Sequence, residues 1–172
     1  MLGDPTPEQK LARMIRVDQA GEFGAVRIYQ GQRAVLGNSP VLKHMEEQER
    51  QHLERFNKLM TAHRVRPTIL TPLWHLAGFA LGAGTALLGE KAAMACTVAV
   101  EEVIEQHYAK QEAEMPDDQS ELKETVAQFR ADEVAHREEA RKRGAEQAPL
   151  YPLLHGAVTA GTRLAIWLSE RI

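Results

Sequence analysis

Residues 49–52 read Glu-Arg-Gln-His, and residues 133–136 repeat the pattern as Glu-Val-Ala-His. In each segment a glutamate precedes a histidine by three positions, so both side chains lie on one face of a helix. The same face carries the apolar residues of the segment. These are Met45, Phe56 and Leu59 around the first pair, and Leu122, Val126, Phe129 and Ala140 around the second. Each pair is therefore expected on the buried side of its helix.

Each pair also follows a helix that carries a glutamate on its own apolar face. Glu22 precedes the first pair, and Glu101 or Glu105 precedes the second. The helical phase disfavours Glu102 but does not separate the other two. An ionised carboxylate among apolar side chains is costly unless a cation or a hydrogen-bonded partner compensates its charge. The twofold pattern predicts a carboxylate-bridged dinuclear metal site inside a four-helix bundle.

The predicted ligand set favours iron or manganese. Carboxylates and imidazoles suit these metals, and bridging carboxylates hold two cations close together. Four glutamates would neutralise two divalent cations, and a ferrous pair could deliver two electrons to O2. The sequence thus indicates redox chemistry with dioxygen.

Helical periodicity predicts four long helices over residues 8–36, 40–63, 91–114 and 119–143. Turn residues separate the members of each pair, at Gly37-Asn38-Ser39-Pro40 and at Pro116-Asp117-Asp118. Residues 150–172 predict a further helix with a strongly apolar face. No segment alternates in the manner of a β-strand. The predicted fold class is all-α.

Composition limits the broad class of the protein. A chain of 172 residues with 44% hydrophobic residues suits a single domain over 1–172. The net charge of -3 argues against a nucleic-acid partner. The single cysteine, Cys96, excludes an internal disulfide and a rubredoxin-type iron centre made by this chain alone. The first residues do not read as a targeting segment, so we expect the protein to stay where it is made.

Four further stretches give the sequence a family resemblance. They are Arg-Val-Asp-Gln-Ala-Gly-Glu at 16–22, Phe-Ala-Leu-Gly-Ala-Gly-Thr-Ala-Leu-Leu-Gly at 79–89, Ala-Cys-Thr-Val-Ala-Val-Glu-Glu at 95–102, and Leu-Ser-Glu-Arg at 168–171. In this order they closely resemble the demethoxyubiquinone hydroxylase family of ubiquinone biosynthesis. The resemblance covers nearly the whole chain.

That resemblance implies a ferritin-like antiparallel four-helix bundle with additional apolar helices, acting as a di-iron monooxygenase. It would use O2 to hydroxylate the ring of a polyprenylated demethoxybenzoquinol, with NADH as the candidate reductant. The implied iron ligands are Glu22, Glu49, His52, Glu101, Glu133 and His136, which selects Glu101 on the third helix. The implied catalytic residues are His107 and Tyr108, in electron or proton delivery. Asp18, one turn before Glu22, is a candidate for orienting a ligand imidazole.

A polyprenyl quinol resides in the bilayer, so its hydroxylase needs an apolar surface that reaches the membrane. The segments near 67–89 and 150–168 could supply one, and the first of them contains no charged residue. Glycines and prolines argue against a membrane span there. We therefore expect a peripheral protein on the cytoplasmic face of a bacterial inner membrane, or on the matrix side of the mitochondrial inner membrane for a trimmed eukaryotic form. The alternative is that both segments pack on the bundle or form a dimer face.

The sequence leaves some alternatives open. Another ferritin-like oxidase, a peroxidase or a manganese catalase would share the ligand pattern, as would a non-catalytic iron-binding membrane protein. A homo-oligomer and a lipid-binding accessory protein are also possible partners. The oxidase, peroxidase and catalase are expected to lack two uncharged helical segments, and the non-catalytic protein would bind metal without consuming O2 coupled to quinol.

Overall fold

The computed structural model describes residues 5–116 and 119–172, so Asp117 and Asp118 of the predicted turn lie outside the described residues. Within this part of the chain the protein is all-α, which confirms the predicted fold class. The helices are α1 Pro7–Leu36, α2 Pro40–Ala62, α3 Thr71–Leu87, α4 Glu90–Glu114, α5 Ser120–Lys142 and α6 Tyr151–Ser169. A short 3-10 helix spans Ala145–Gln147.

Helices α1, α2, α4 and α5 form a ferritin-like bundle. A three-residue connection makes α2 antiparallel to α1. Hydrogen bonds show that α4 also runs antiparallel to α1, since Tyr29 contacts Glu101 while Asp18, earlier on α1, contacts Gln111, later on α4. Helix α3 occupies the long connection between α2 and α4, so these two helices run in the same direction.

The bounds of α1 and α2 follow from local capping. The Thr6 side chain accepts a hydrogen bond from the Gln9 backbone, and the Gln9 side chain accepts one from the Thr6 backbone. Gly37 ends α1 with a φ of 74°, a conformation that favours glycine. Ser39 then caps α2, with Pro40 in its first turn. These signals explain why the predicted bounds agree with the observed ones to within one residue.

Helix α3 packs closely along α1 because glycines line their contact. A methyl group at Gly82 would collide with the backbone oxygen of Ile28, and one at Gly31 would collide with that of Phe79. Both helices therefore need glycine at the crossing. This packing holds the apolar helix α3 against the outside of the bundle.

Helices α3 and α6 give the bundle an exposed apolar face. Helix α6 runs parallel to α4, with His155 near Glu102 and Arg163 near Gln106. Large apolar side chains on these two helices face solvent, namely Leu73, Leu76, Leu153, Leu164 and Trp167. Throughout the described ranges, each helix is too short or too polar to cross a bilayer.

Candidate metal centre

The six predicted ligand residues meet in the middle of the bundle. Glu22 comes from α1, Glu101 from α4, and the two Glu-x-x-His pairs from α2 and α5. All six side chains are at least 97% buried. Helical spacing turns each pair inward, as the sequence predicts, and the bundle brings the four helices together around them.

The ligand atoms form two groups that share two carboxylates. One group contains Glu22 and His52, the other contains Glu101 and His136, and both include Glu49 and Glu133. Within each group the candidate ligand atoms lie within 4.8 Å of one another. This geometry suits two cations, each held by one terminal glutamate and one histidine, with two glutamates between them.

Many of the inward polar atoms have no hydrogen-bond partner. Both carboxylate oxygens of Glu49 and of Glu133 are unpaired, as are Nδ1 of His52 and Nδ1 of His136. His136 Nδ1 lies 3.0 Å from Glu49 Oε1, and His52 Nδ1 lies 3.3 Å from Glu133 Oε1, without hydrogen-bond geometry. Unpaired buried polar atoms are rare in folded proteins. Two cations would engage all of them, so the residues fit a dinuclear metal site.

The buried acids of the cluster raise one another's pKa. Burial raises the pKa of Glu49 well above its ordinary value of 4.5, and the charge of Glu133 raises it further. Burial and Glu133 likewise raise the pKa of Glu101 well above that value. The ionised forms of these acids are therefore unfavourable unless a positive charge compensates them.

The two histidines lower the pKa of one of the shared acids. Burial favours the neutral form of Glu133, but contacts with His136 and His52 outweigh it and lower the pKa of Glu133 to about 2. Burial also opposes a charged His52, yet Glu133 and Glu22 raise the pKa of that imidazole to about 11. The cluster therefore attracts positive charge, as expected of a metal site.

Residues outside the ligand set fix the two imidazoles. His52 Nε2 lies 3.1 Å from Asp132 Oδ2, and His136 Nε2 lies 3.0 Å from Gln48 Oε1. Each partner therefore comes from the helix that carries the other pair. Such contacts turn Nδ1 toward the metal position and fix the tautomer. Neither residue stands out in the sequence, although each immediately precedes a candidate ligand glutamate.

Two tyrosines hold the terminal glutamates. Tyr29 donates a 2.6 Å hydrogen bond to Glu101 Oε1, and Tyr108 donates one to Glu22 Oε1. Burial is the main cause that raises the pKa of both phenols well above 10.0, and the neighbouring acids raise it further. Both phenols therefore stay protonated and serve as hydrogen-bond donors at neutral pH.

The other acids of α4 have partners elsewhere. Glu105, the second candidate from helical phase, pairs with Arg130 at 3.0 Å and Arg137 at 3.4 Å. Glu102 faces His155 on α6 at 2.9 Å. The structure thus brings Glu101 alone of the three into the cluster. Cys96 is fully buried, and burial raises the pKa of its thiol to about 12, so it stays uncharged.

His107 and Asp18 lie beside the cluster. Asp18 Oδ1 is 3.3 Å from His107 Nε2 and accepts a 2.7 Å hydrogen bond from Gln111 Nε2. The expectation that Asp18 orients a ligand imidazole was wrong, because Asp132 and Gln48 occupy that role and Asp18 faces a histidine outside the ligand set. Asp18 lies on the side of α1 that faces α4 rather than α2 or α5.

An apolar cavity of about 300 Å³ lies between α1, α3, α4 and α6. Ile28, Leu81, Ile104 and Ile166 are among its lining residues, and Tyr108 and His107 bring polar groups to it. A second cavity of about 710 Å³, here called the outer cavity, lies near the start of α1 and the end of α4. His107 and Val17 line both cavities. The apolar cavity can accept a small apolar ring next to the residues that hold Glu22.

Comparison with known proteins identifies similar sequences. The family model described as "Ubiquinone biosynthesis protein COQ7" matches residues 9–169. A 3-demethoxyubiquinol 3-hydroxylase of Rhodospirillum rubrum is 59% identical over 174 residues, covering 99% of this chain and 82% of the relative. The mitochondrial NADPH-dependent 3-demethoxyubiquinone 3-hydroxylase of Mus musculus is 55% identical, covering 92% of this chain and 76% of the relative. The human protein of that name is 53% identical, with 93% and 77% covered.

Proposed function

This chain belongs to the ubiquinone biosynthesis protein COQ7 family, and from that membership we propose that it is a 3-demethoxyubiquinol 3-hydroxylase, a di-iron monooxygenase of ubiquinone biosynthesis. The observation that carries the proposal is the buried cluster in which Glu49 and Glu133 are common to two groups of ligand atoms. A plain oxidase or a non-catalytic iron-binding protein would share this cluster. The names of the relatives favour the hydroxylase.

The proposed metal ligands are Glu22, Glu49, His52, Glu101, Glu133 and His136. Two iron ions bound there would supply the two-electron chemistry with O2. The protein fixes the ligands through Asp132, Gln48 and the two tyrosines. Burial of the cluster excludes bulk water, which strengthens each electrostatic contact.

We assign the apolar cavity to the quinol ring and the start of its prenyl tail. The cavity lies between α3 and α6, the two helices that bear the exposed leucines, so an apolar tail could pass from lipid into the protein without crossing water. Tyr108 lines this cavity and donates to Glu22, which would connect the bound ring with the metal site. His107 is the second proposed catalytic residue, since it also lines the cavity.

The exposed face of α3 and α6 is the proposed membrane contact. Leu153 is 68% exposed and Leu164 56% exposed, and a contiguous apolar surface of this kind favours contact with lipid or with another protein. Membrane contact fits a substrate that carries a polyprenyl tail. We therefore propose that the protein associates peripherally with a membrane surface.

The reductant is proposed to be a reduced nicotinamide nucleotide. The mouse and human relatives are named as NADPH-dependent, whereas the sequence alone suggested NADH. Assays with each nucleotide would separate the two. Neither the homo-oligomer nor the lipid-binding accessory protein is needed to complete the ligand set, because one chain supplies all six residues.

The function is tested by reconstitution. Purified protein loaded anaerobically with Fe²⁺ is mixed with a short-chain demethoxyubiquinol, reduced nucleotide and O2, and the quinones are identified by mass spectrometry. We expect two irons per chain and a product heavier by one oxygen atom. Bound iron with O2 consumption but no hydroxylated quinone would favour the oxidase, and bound iron without either would favour the non-catalytic protein.

Membrane contact is tested by vesicle flotation. Leu153→Glu and Leu164→Glu together should reduce binding to anionic vesicles at least 10-fold, because each leucine contributes about 1.5–3 kcal/mol when buried in lipid. Lys58→Glu, an exposed change on α2 that also lowers the net charge by two, is the control and should float with the vesicles as the wild type does. Equal flotation of the leucine variant would contradict the assignment of this face.

A further inference from the structure

Asp18 is a buried acid that the metal cluster leaves unexplained. Its side chain is fully buried, yet it belongs to neither group of ligand atoms. Glu46, another buried acid outside the cluster, pairs with Arg33 and Arg50. The partners of Asp18 are instead His107 and Gln111 on α4. A buried carboxylate needs charged or hydrogen-bonded partners to offset its lost hydration, and for Asp18 these partners are an imidazole and an amide.

The three side chains form a compact set. Gln111 Nε2 lies 2.7 Å from Asp18 Oδ1 and 2.9 Å from His107 Nε2, so one amide group can donate a hydrogen to each. His107 and Gln111 are four residues apart on α4, one above the other on the same face. Gln111 thus connects the Nε2 edge of the imidazole on α4 with Asp18 on α1. Asp18 Oδ2 and Gln111 Oε1 have no partner in the described chain.

This arrangement leaves the other edge of the ring available. Nδ1 of His107 makes no hydrogen bond to a described residue, and the side chain is 15% exposed. His107 also lines the apolar cavity beside Tyr108, one residue away. The contact at Nε2 fixes the orientation of the ring, and Nδ1 has no partner and is partly accessible. Nδ1 is therefore suited to bind an oxygen-bearing ligand. A benzoquinol offers two to four oxygen atoms around its ring.

We propose that Asp18 and Gln111 are positioning residues that hold His107 so that its Nδ1 hydrogen-bonds an oxygen of the quinol ring. The inference rests on the proposed function and names His107 as the residue that holds the quinol head group. The apolar walls of the cavity fix the ring plane, and the Nδ1 contact fixes its rotation within that plane. Together they select which ring carbon faces the metal site. Asp18 thus acts on the reaction through His107.

The test compares Asp18→Asn, Gln111→Met and His107→Asn in the reconstituted hydroxylase. Wild-type hydroxylation is measured first, and its absence would refute the proposed function rather than this inference. We expect Asp18→Asn and Gln111→Met each to lower kcat/KM about 10-fold or more, the effect of losing one orienting contact. Iron content should stay at the wild-type value. In the His107→Asn background, Asp18→Asn should cause no further loss, because its effect passes through the imidazole.

Gln19→Met is the matched control. Gln19 is a buried amide next to Asp18, and it donates to Asn57 on α2 instead. It should lose a similar amount of thermal stability while kcat/KM changes less than about 2-fold. Three results would overturn the inference: losses for Asp18→Asn and His107→Asn that multiply, an activity loss that merely follows lost iron or lost folding, or an equal loss in Gln19→Met.

A measurement without turnover gives the second readout. The ring nitrogens of His107 can be observed by ¹⁵N NMR in the metal-free protein, after assignment with His107→Asn. A demethoxyubiquinol analogue should shift Nδ1 in the wild type, and Asp18→Asn should abolish this shift. An unchanged Nδ1 on ligand addition would overturn the inference even if the variants lose activity.

Discussion

Replacing Glu49 by glutamine should stabilise the metal-free protein while weakening metal binding. The unfolded chain ionises Glu49 at about its ordinary pKa of 4.5, whereas burial and the neighbouring Glu133 raise the pKa of Glu49 well above that value in the folded metal-free site. Each pH unit above 4.5 over which the folded site holds that proton costs about 1.4 kcal/mol of folding free energy. Ionising it instead would meet about 3.5 kcal/mol of repulsion or more from one ionised carboxylate within 4.8 Å, at an effective dielectric constant of about 20. Glutamine avoids both costs.

The expected gain in Tm follows from the size of the chain. For a domain of this length, each pH unit of retained proton, about 1.4 kcal/mol, corresponds to roughly 3 to 6 °C. Circular dichroism melts of chelator-treated protein at pH 7 should show this increase for Glu49→Gln, and the increase should shrink toward zero near pH 4.5. Adding Fe²⁺ anaerobically should raise the Tm of the wild type more than that of the variant, since the variant lacks a shared ligand.

The exposed neighbour Glu47 gives the control, because Glu47→Gln changes the same chemical group outside the cluster. Its Tm should stay within about 2 °C of the wild type. Destabilisation of metal-free Glu49→Gln, or a gain that does not depend on pH, would refute the electrostatic reasoning.

Three further outcomes follow from the site. His136→Ala should bind one iron instead of two and lose hydroxylation while its far-UV dichroism is retained; two bound irons would remove His136 from the ligand set. Metal-free wild-type protein should lose thermal stability from pH 6 to pH 9, because folded His52 holds a proton up to a pKa of about 11 that the unfolded chain releases near 6.5, and Glu49 acts in the same sense. A Tm that rises over that range would contradict this assignment, and bound Fe²⁺ should flatten the dependence. Asp132→Asn should weaken metal binding about 10- to 100-fold in a Co²⁺ titration, since it loosens the ring of His52; an unchanged affinity would show that the contact has no orienting role.

The two candidate ligand pairs could be predicted from the sequence because the pattern that identifies them lies within single helices. Glu49 with His52, and Glu133 with His136, share helical faces with core side chains, and a single periodicity predicts both burial and direction. The helix bounds were readable for a similar reason, since Thr6, Gly37 and Ser39 are local capping residues. The fold class followed from these helices.

Contacts between helices could not be predicted in the same way. Asp132 reaches His52 only because α2 and α5 meet at a particular height and rotation, which no spacing within one helix records. Asp18 shares the inward line of α1 with Glu22, yet the rotation of α1 turns it toward His107. The choice of Glu101 over Glu105 likewise depended on where Arg130 lies on α5.

The most direct test is a crystal structure of the Fe²⁺-loaded protein with anomalous diffraction measured at the iron edge. The account predicts two iron peaks in the bundle, with Glu49 and Glu133 between them, His52 and Glu22 at one iron, and His136 and Glu101 at the other. A single peak, or two peaks that share neither Glu49 nor Glu133, would contradict the dinuclear site from which the proposed chemistry follows.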